Sequence, residues 1–184
     1  KSVGKLVNLI EQLKANPLAG HAGIGHTRWA THGRATTANA HPHVSFDGQV
    51  ALVHNGIIEN HAELKRKYLS HVSFASETDT EVAAHLLAIK LKTTKNLHTA
   101  MRALMKEVRG AYALCAVSRD HPGEIVCARL SSPLIVGVGK GENFIGSDVP
   151  AVLPYTARII YLDEGESARI TPDAIEILDK NGKP

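Results

Sequence analysis

At 184 residues, 43% of them hydrophobic, the chain carries enough apolar material for one packed domain and too little for two. Its 21 basic and 18 acidic residues leave a net charge of only +3, and the densest basic run, Lys65-Arg66-Lys67, is too short to make a nucleic-acid stripe. No apolar run reaches the roughly 18 residues of a membrane span and no signal-peptide core follows Lys1, so the expectation is a cytoplasmic protein with neither nucleic-acid nor membrane partners.

In chain order, Val3, Leu6, Val7, Ile10 and Leu13 recur at helical spacing until Asn16-Pro17 stops the pattern, which predicts a structural amphipathic helix over 3–15. The small, apolar run from His21 leads into a predicted strand ending near Trp29. There the segment Gly25-His26-Thr27-Arg28-Trp29-Ala30-Thr31-His32-Gly33 concentrates recognition side chains between glycines. A guanidinium near a strand end suits a carboxylate, so Arg28 is a candidate anion binder, with an internal salt bridge as the alternative. A loop holding His41-Pro42-His43 precedes a strand over 49–55, which should end at Asn55-Gly56. Such a pair makes either a hairpin turn or a strand-to-helix turn whose N–H groups face outward and could hold an oxyanion. Asn60-x-x-Glu63 resembles a capping box and predicts a helix to about Leu69.

A second capping box, Thr78-x-x-Glu81, opens a helix that carries Asp79 in its first turn, where the carboxylate either complements the helix dipole or binds a ligand. Another helix follows over 97–108, and the two should cover one sheet face. From Gly110 the chain turns to short β-branched runs at 111–117, 124–130, 134–138, 143–147, 158–162, 167–170 and 174–178, with Asp148 placed to cap a short helical piece. This order argues an α+β domain. Cys115 and Cys127 lie inside apolar runs without disulfide or metal spacing. The eleven histidines form no His-Glu-x-x-His or Cys/His cluster, so neither a metal nor another cofactor is expected.

Five motifs in order, Gly25–Gly33, Asn39-Ala-His-Pro-His43, His54-Asn-Gly-Ile-Ile-Glu-Asn60, Ser76-Glu-Thr-Asp-Thr-Glu81 and Arg109-Gly-Ala-Tyr-Ala113, give a resemblance that covers essentially the whole chain. It resembles the class II glutamine amidotransferase domain of the glutamine–fructose-6-phosphate aminotransferase (glucosamine-6-phosphate synthase) family. The resemblance implies an N-terminal-nucleophile hydrolase fold, a four-layer αββα sandwich lacking its first strands. Arg28, with Thr31 and His32 beside it, matches the residues that hold the α-carboxylate of glutamine, and Asp79 the residue that holds its α-ammonium. Asn55 and Gly56 match the oxyanion hole, and Trp29 the tryptophan that closes over the site and the ammonia path. Glutamine is the implied ligand. The implied partners are the enzyme's sugar isomerase domain and further copies of the whole enzyme.

The family's nucleophile is a cysteine at the mature N-terminus whose own α-amine serves as base. This chain opens on Lys1, and its two cysteines suit the core, so the domain over 1–184 is expected to be partial at its N-terminus and inactive alone. It ends at Pro184, before any sugar isomerase domain. The rival readings are a non-catalytic glutamine-binding or regulatory module, and the glutaminase domain of another class II amidotransferase.

Overall fold

The structure is a computed structural model and describes residues 1–29 and 34–184. The elements run α1 (Leu6–Ala15), β1 (His43–Val44), β2 (Val50–Ile58), α2 (His61–Tyr68), α3 (Asp79–Thr94), α4 (Leu97–Met105), β3 (Gly110–Ser118), β4 (Ile125–Leu130), β5 (Ile135–Val138), β6 (Asn143–Gly146), β7 (Ile159–Tyr161), β8 (Ser167–Ile170) and β9 (Ile175–Leu178). Six strands form one sheet in the order β1-β2-β3-β4-β8-β9, and three form a second in the order β6-β5-β7; all neighbours named in the registers are antiparallel.

Side chains alternate across a strand, so the large sheet has two apolar faces and needs a cover on each. Leu52, Ile58, Leu114, Ala116, Val126 and Ala128 face the helices, where Leu86, Leu87, Leu97, Met101 and Leu104 close one core. Val53, Ala113, Cys115, Cys127 and Ala168 close a second core with Leu134, Val136 and Leu162 of the small-sheet region. Helix layer, large sheet and small sheet thus stack as an α+β sandwich, with α3 and α4 sharing one sheet face as expected. Helix α3 is buried at ten of its sixteen positions, which explains why its sequence is apolar on more than one side.

Four expectations need correction. The predicted strand before Trp29 pairs with no described strand; residues 22–29 have no regular structure. Strand β2 does not stop at Asn55-Gly56 but continues to Ile58, because β3 stays paired along it from Val50↔Ser118 to Ile58↔Gly110. Helix α1 forms yet fully buries no side chain: Leu6 is 58% exposed and Ile10 44%, so its apolar stripe stays largely open among the described residues. Asn60 makes no capping bond for α2; instead its amide donates to the Glu107 carbonyl (2.8 Å) and accepts from Arg109 N–H (2.9 Å), tying α2 to the approach of β3.

Candidate active site

Alternation along β2 sends His54 toward α3 and Asn55 to the opposite side. The buried His54 Nδ1 lies 3.0 Å from Thr80 Oγ1. The exposed Asn55 meets the segment before Trp29, with His26 Nε2 at 2.7 Å from Asn55 Oδ1. Gly56 follows at φ +125°, and a β-carbon there would stand 2.0 Å from the Ala111 carbonyl oxygen and 3.0 Å from Tyr112 Cα. Only glycine fits this close approach of β2 to its neighbour β3.

Asp79 comes from the first residue of α3. Thr78 caps the helix by accepting from Glu81 N–H, while the Glu81 carboxylate turns back to accept from the backbone N–H groups of Ala75 (2.8 Å) and Ser76 (2.7 Å). Only half of the predicted capping box therefore forms, and its acid clamps the preceding turn. Asp79 Oδ2 accepts from Ile58 N–H at 2.7 Å, which joins the helix start to the end of β2 two residues past Gly56.

Histidines pack around this junction. Thr80 Oγ1 sits 3.0 Å from both His41 Nε2 and His54 Nδ1, and Thr78 Oγ1 lies 3.0 Å from His43 Nε2. The His26 and His41 rings lie 4.2 Å apart, centroid to centroid. Burial, then the mutual repulsion of neighbouring charges, pushes His41 down to about 2; burial and Lys1 push His43 down to about 4. Burial also lowers His54, against the pull of Asp79. These rings are neutral near pH 7, so they act as hydrogen-bonding groups and leave Asp79 uncompensated by imidazolium.

Arg28 is brought up by the loop. Its Nη1 donates to the Arg34 carbonyl at 3.2 Å. The buried Asn39 donates to the same carbonyl at 3.0 Å and accepts from Glu77 N–H at 3.0 Å. Arg28 is thus braced against the turn that leads into Asp79. Arg28, Trp29, Asn55, Gly56 and Asp79 line one pocket of about 310 Å³, inside the size range of small-molecule sites. Trp29 stands at its rim, 86% exposed. Thr31 and His32 lie outside the described residues. The sequence reading passed over His26, His41 and Thr80, which also line the pocket; their only signal was membership of the same motifs.

The pocket therefore offers a carboxylate, a guanidinium and a strand glycine beside an amide, drawn from three separate stretches of chain. Among the described residues its lining holds no cysteine. Cys115 and Cys127 are buried, and burial holds both thiols up, Cys127 to about 12 and Cys115 well above its ordinary value. No group of three or more His, Cys, Asp or Glu that could hold a metal ion occurs among the described residues.

The sequence from His26 to Pro154 matches the family described as the glutamine amidotransferase domain. The chain belongs to this family. This amidotransferase domain is 52% identical to the glutamine–fructose-6-phosphate aminotransferase (isomerizing) of Thermus thermophilus, an alignment that covers 100% of this chain and 30% of that protein. It is also 52% identical to the enzyme of the same name from Acinetobacter baylyi, over 96% of this chain and 29% of the relative. The chain spans about 30% of the length of the curated relatives it matches. Among solved structures, the glutamine phosphoribosylpyrophosphate amidotransferase of B. subtilis, complexed with ADP and GMP, superposes with a TM-score of 0.66 at 25% identity, covering 84% of this chain and 34% of that one. The amidotransferase sandwich is therefore the fold of this domain, and no described helix is long and apolar enough to cross a membrane.

Proposed function

We propose that this amidotransferase domain is the glutamine-hydrolysing portion of a glutamine–fructose-6-phosphate aminotransferase, releasing ammonia for glucosamine 6-phosphate. One observation carries the reading: Arg28, Asn55, Gly56 and Asp79, from three separate stretches of sequence, line one pocket. A free α-amino acid bears an anion and a cation on one carbon, and Arg28 and Asp79 supply the complementary pair. The side-chain amide of glutamine then points to Asn55 and Gly56.

In the reaction, a thiolate attacks the side-chain amide carbon and the carbonyl oxygen becomes an oxyanion. Asn55 Nδ2–H and the Gly56 N–H stabilise it, an interaction whose loss costs on the order of 3 kcal/mol per donor. The tetrahedral intermediate collapses, the C–N bond breaks, and the nitrogen leaves as ammonia after taking a proton. Water hydrolyses the thioester to glutamate and frees the thiol. Since neither cysteine here is suited to attack, the thiol belongs to polypeptide outside these 184 residues. A groove of about 570 Å³ shares His26, Thr27, His54 and Asn55 with the pocket and is also lined by Val53, Ala113, Cys115, Leu134 and Ile145. The ammonia acceptor, fructose 6-phosphate, would bind in a separate sugar isomerase domain.

The test is glutamate release from glutamine, together with sugar-dependent glucosamine 6-phosphate formation, by the intact protein. The reading requires both activities, each abolished by removing the thiol. The 184 residues alone should release no glutamate, though they could still bind glutamine. Turnover by this chain beginning at Lys1 would contradict the assignment of the nucleophile.

A further inference from the structure

We propose that His26 is a positioning residue for the oxyanion hole: it grips the carbonyl end of the Asn55 side chain and thereby turns the amide N–H₂ toward the substrate. The proposal rests on the oxyanion reading of Asn55 and adds to it the group that decides which end of the amide faces glutamine.

An asparagine side chain is nearly symmetric in shape and opposite in chemistry at its two ends. On an exposed strand position it can rotate by a half turn at little steric cost. One orientation stabilises a developing oxyanion, and the other presents a carbonyl oxygen that repels it. In the structure Oδ1 lies 2.7 Å from His26 Nε2; an amide oxygen only accepts, so this contact selects the ring tautomer with its proton on Nε2. Among the described residues no acceptor meets Asn55 Nδ2, so the end left over is the donor, at the wall of the pocket. Against the Nε2–H tautomer a flipped amide would set Nδ2, two donors face to face.

His26 is itself held. Its ring packs against His41 at 4.2 Å, tilted by 50°, and His41 is anchored to Thr80 beside Asp79. The orientation of the oxyanion donor is thereby referred to the same helix terminus that carries the ammonium-binding carboxylate. Burial keeps His26 below its ordinary pKa, so a neutral ring makes this bond without adding a positive charge behind the donor. A His26 that acts through Asn55 should have its effect on the chemical step and spare glutamine binding, although its ring also lines the pocket.

The experiment uses the intact enzyme and compares His26→Leu, His26→Gln, Asn55→Ala and the double variant His26→Leu with Asn55→Ala, reading kcat and KM for glutamine hydrolysis. Removing a whole oxyanion donor costs about 100- to 1000-fold in kcat, so misorienting one should cost about 10- to 100-fold. His26→Leu should lower kcat by that factor with KM within about threefold, His26→Gln, whose amide can still donate, should recover most of it, and the leucine should cost almost nothing further in the Asn55→Ala enzyme. Unchanged kcat in His26→Leu, a KM effect as large as the kcat effect, or full additivity with Asn55→Ala would each overturn the proposal. Should His26→Leu fail to fold, His26→Gln and His26→Glu carry the same test, since they differ in whether the group facing Oδ1 can donate. Equal kcat in that pair overturns the positioning role. An Asn55→Ala enzyme with wild-type kcat would remove the oxyanion reading itself, whereas a slow Asn55→Ala beside an unaffected His26→Leu removes the His26 assignment alone.

Discussion

Gly56 has no room for a side chain, and this couples the proposed oxyanion donor to backbone geometry at a single residue. A β-carbon would meet the Ala111 carbonyl at 2.0 Å on a backbone at φ +125°. Gly56→Ala should therefore cost on the order of 1–3 kcal/mol in strain and also displace the proposed oxyanion N–H. Thermal unfolding and glutaminase activity should fall together, and an alanine variant with wild-type melting would contradict the steric account. Asp79 separates charge from structure. Its Oδ2 accepts from Ile58 N–H, a role an asparagine carbonyl can keep, whereas the negative charge would serve the glutamine ammonium. Asp79→Asn should raise KM for glutamine on the order of 10- to 100-fold, equivalent to about 1.5–3 kcal/mol, with little loss of melting temperature. An unchanged KM would exclude Asp79 from ammonium binding. Residue types were legible in the sequence at Arg28, Asn55, Gly56 and Asp79 because their motifs are dense and ordered. The partners were not: His26 and Asn55 stand 29 positions apart, and nothing in either local pattern pairs them.

At the scale of elements, the site depends on how α3 begins. Thr78 accepts from Glu81 N–H and also faces His43, while Glu81 holds Ala75 and Ser76. Removing the hydroxyl with Thr78→Val should cost about 1–2 kcal/mol, the usual range for a lost N-cap, and loosen Asp79. The check is urea unfolding alongside KM for glutamine; a stability change below about 0.3 kcal/mol would show that the cap is not used. Helices α2, α3 and α4 were readable from periodicity and start signals, and most strands of the second half from β-branched runs. Two features escaped for physical reasons. Asn55-Gly56 has the composition of a turn, but the long partner β3 carries the pair on as strand. Asn60 and Glu63 have the spacing of a capping box, yet Asn60 spends its amide on Glu107 and Arg109 and Glu63 pairs with Arg109, contacts more than forty residues away in sequence.

At the scale of the molecule, buried neutral histidines at the pocket and elsewhere in the core should make stability depend on pH. Folding lowers the pKa of His41, His43, His54, His85 and His98 beneath the ordinary imidazole value near 6.5, so the unfolded chain binds more protons as pH falls. Their contribution is complete above about pH 6.5 and is lost progressively toward the folded-state values, about 4 for His43 and about 2 for His41. The depressed carboxylates Asp47 and Glu81 act in the same direction only as pH drops below the ordinary carboxylate range, near 4. The melting temperature should thus decline between about pH 7 and about pH 5, and a flat profile there would refute the neutral-histidine picture. The α+β class was legible from the order of elements, but the division into a six-stranded and a three-stranded sheet was not, since strand length and β-propensity do not name a partner. The most direct test of the whole account is to treat the intact natural protein with a glutamine analogue bearing an electrophile at the side-chain amide position, and to map the label by mass spectrometry. The account predicts one labelled cysteine outside residues 1–184, protected by excess glutamine, with Cys115 and Cys127 unmodified. Labelling of Cys115 or Cys127, or no glutamine-protected label at all, would contradict it.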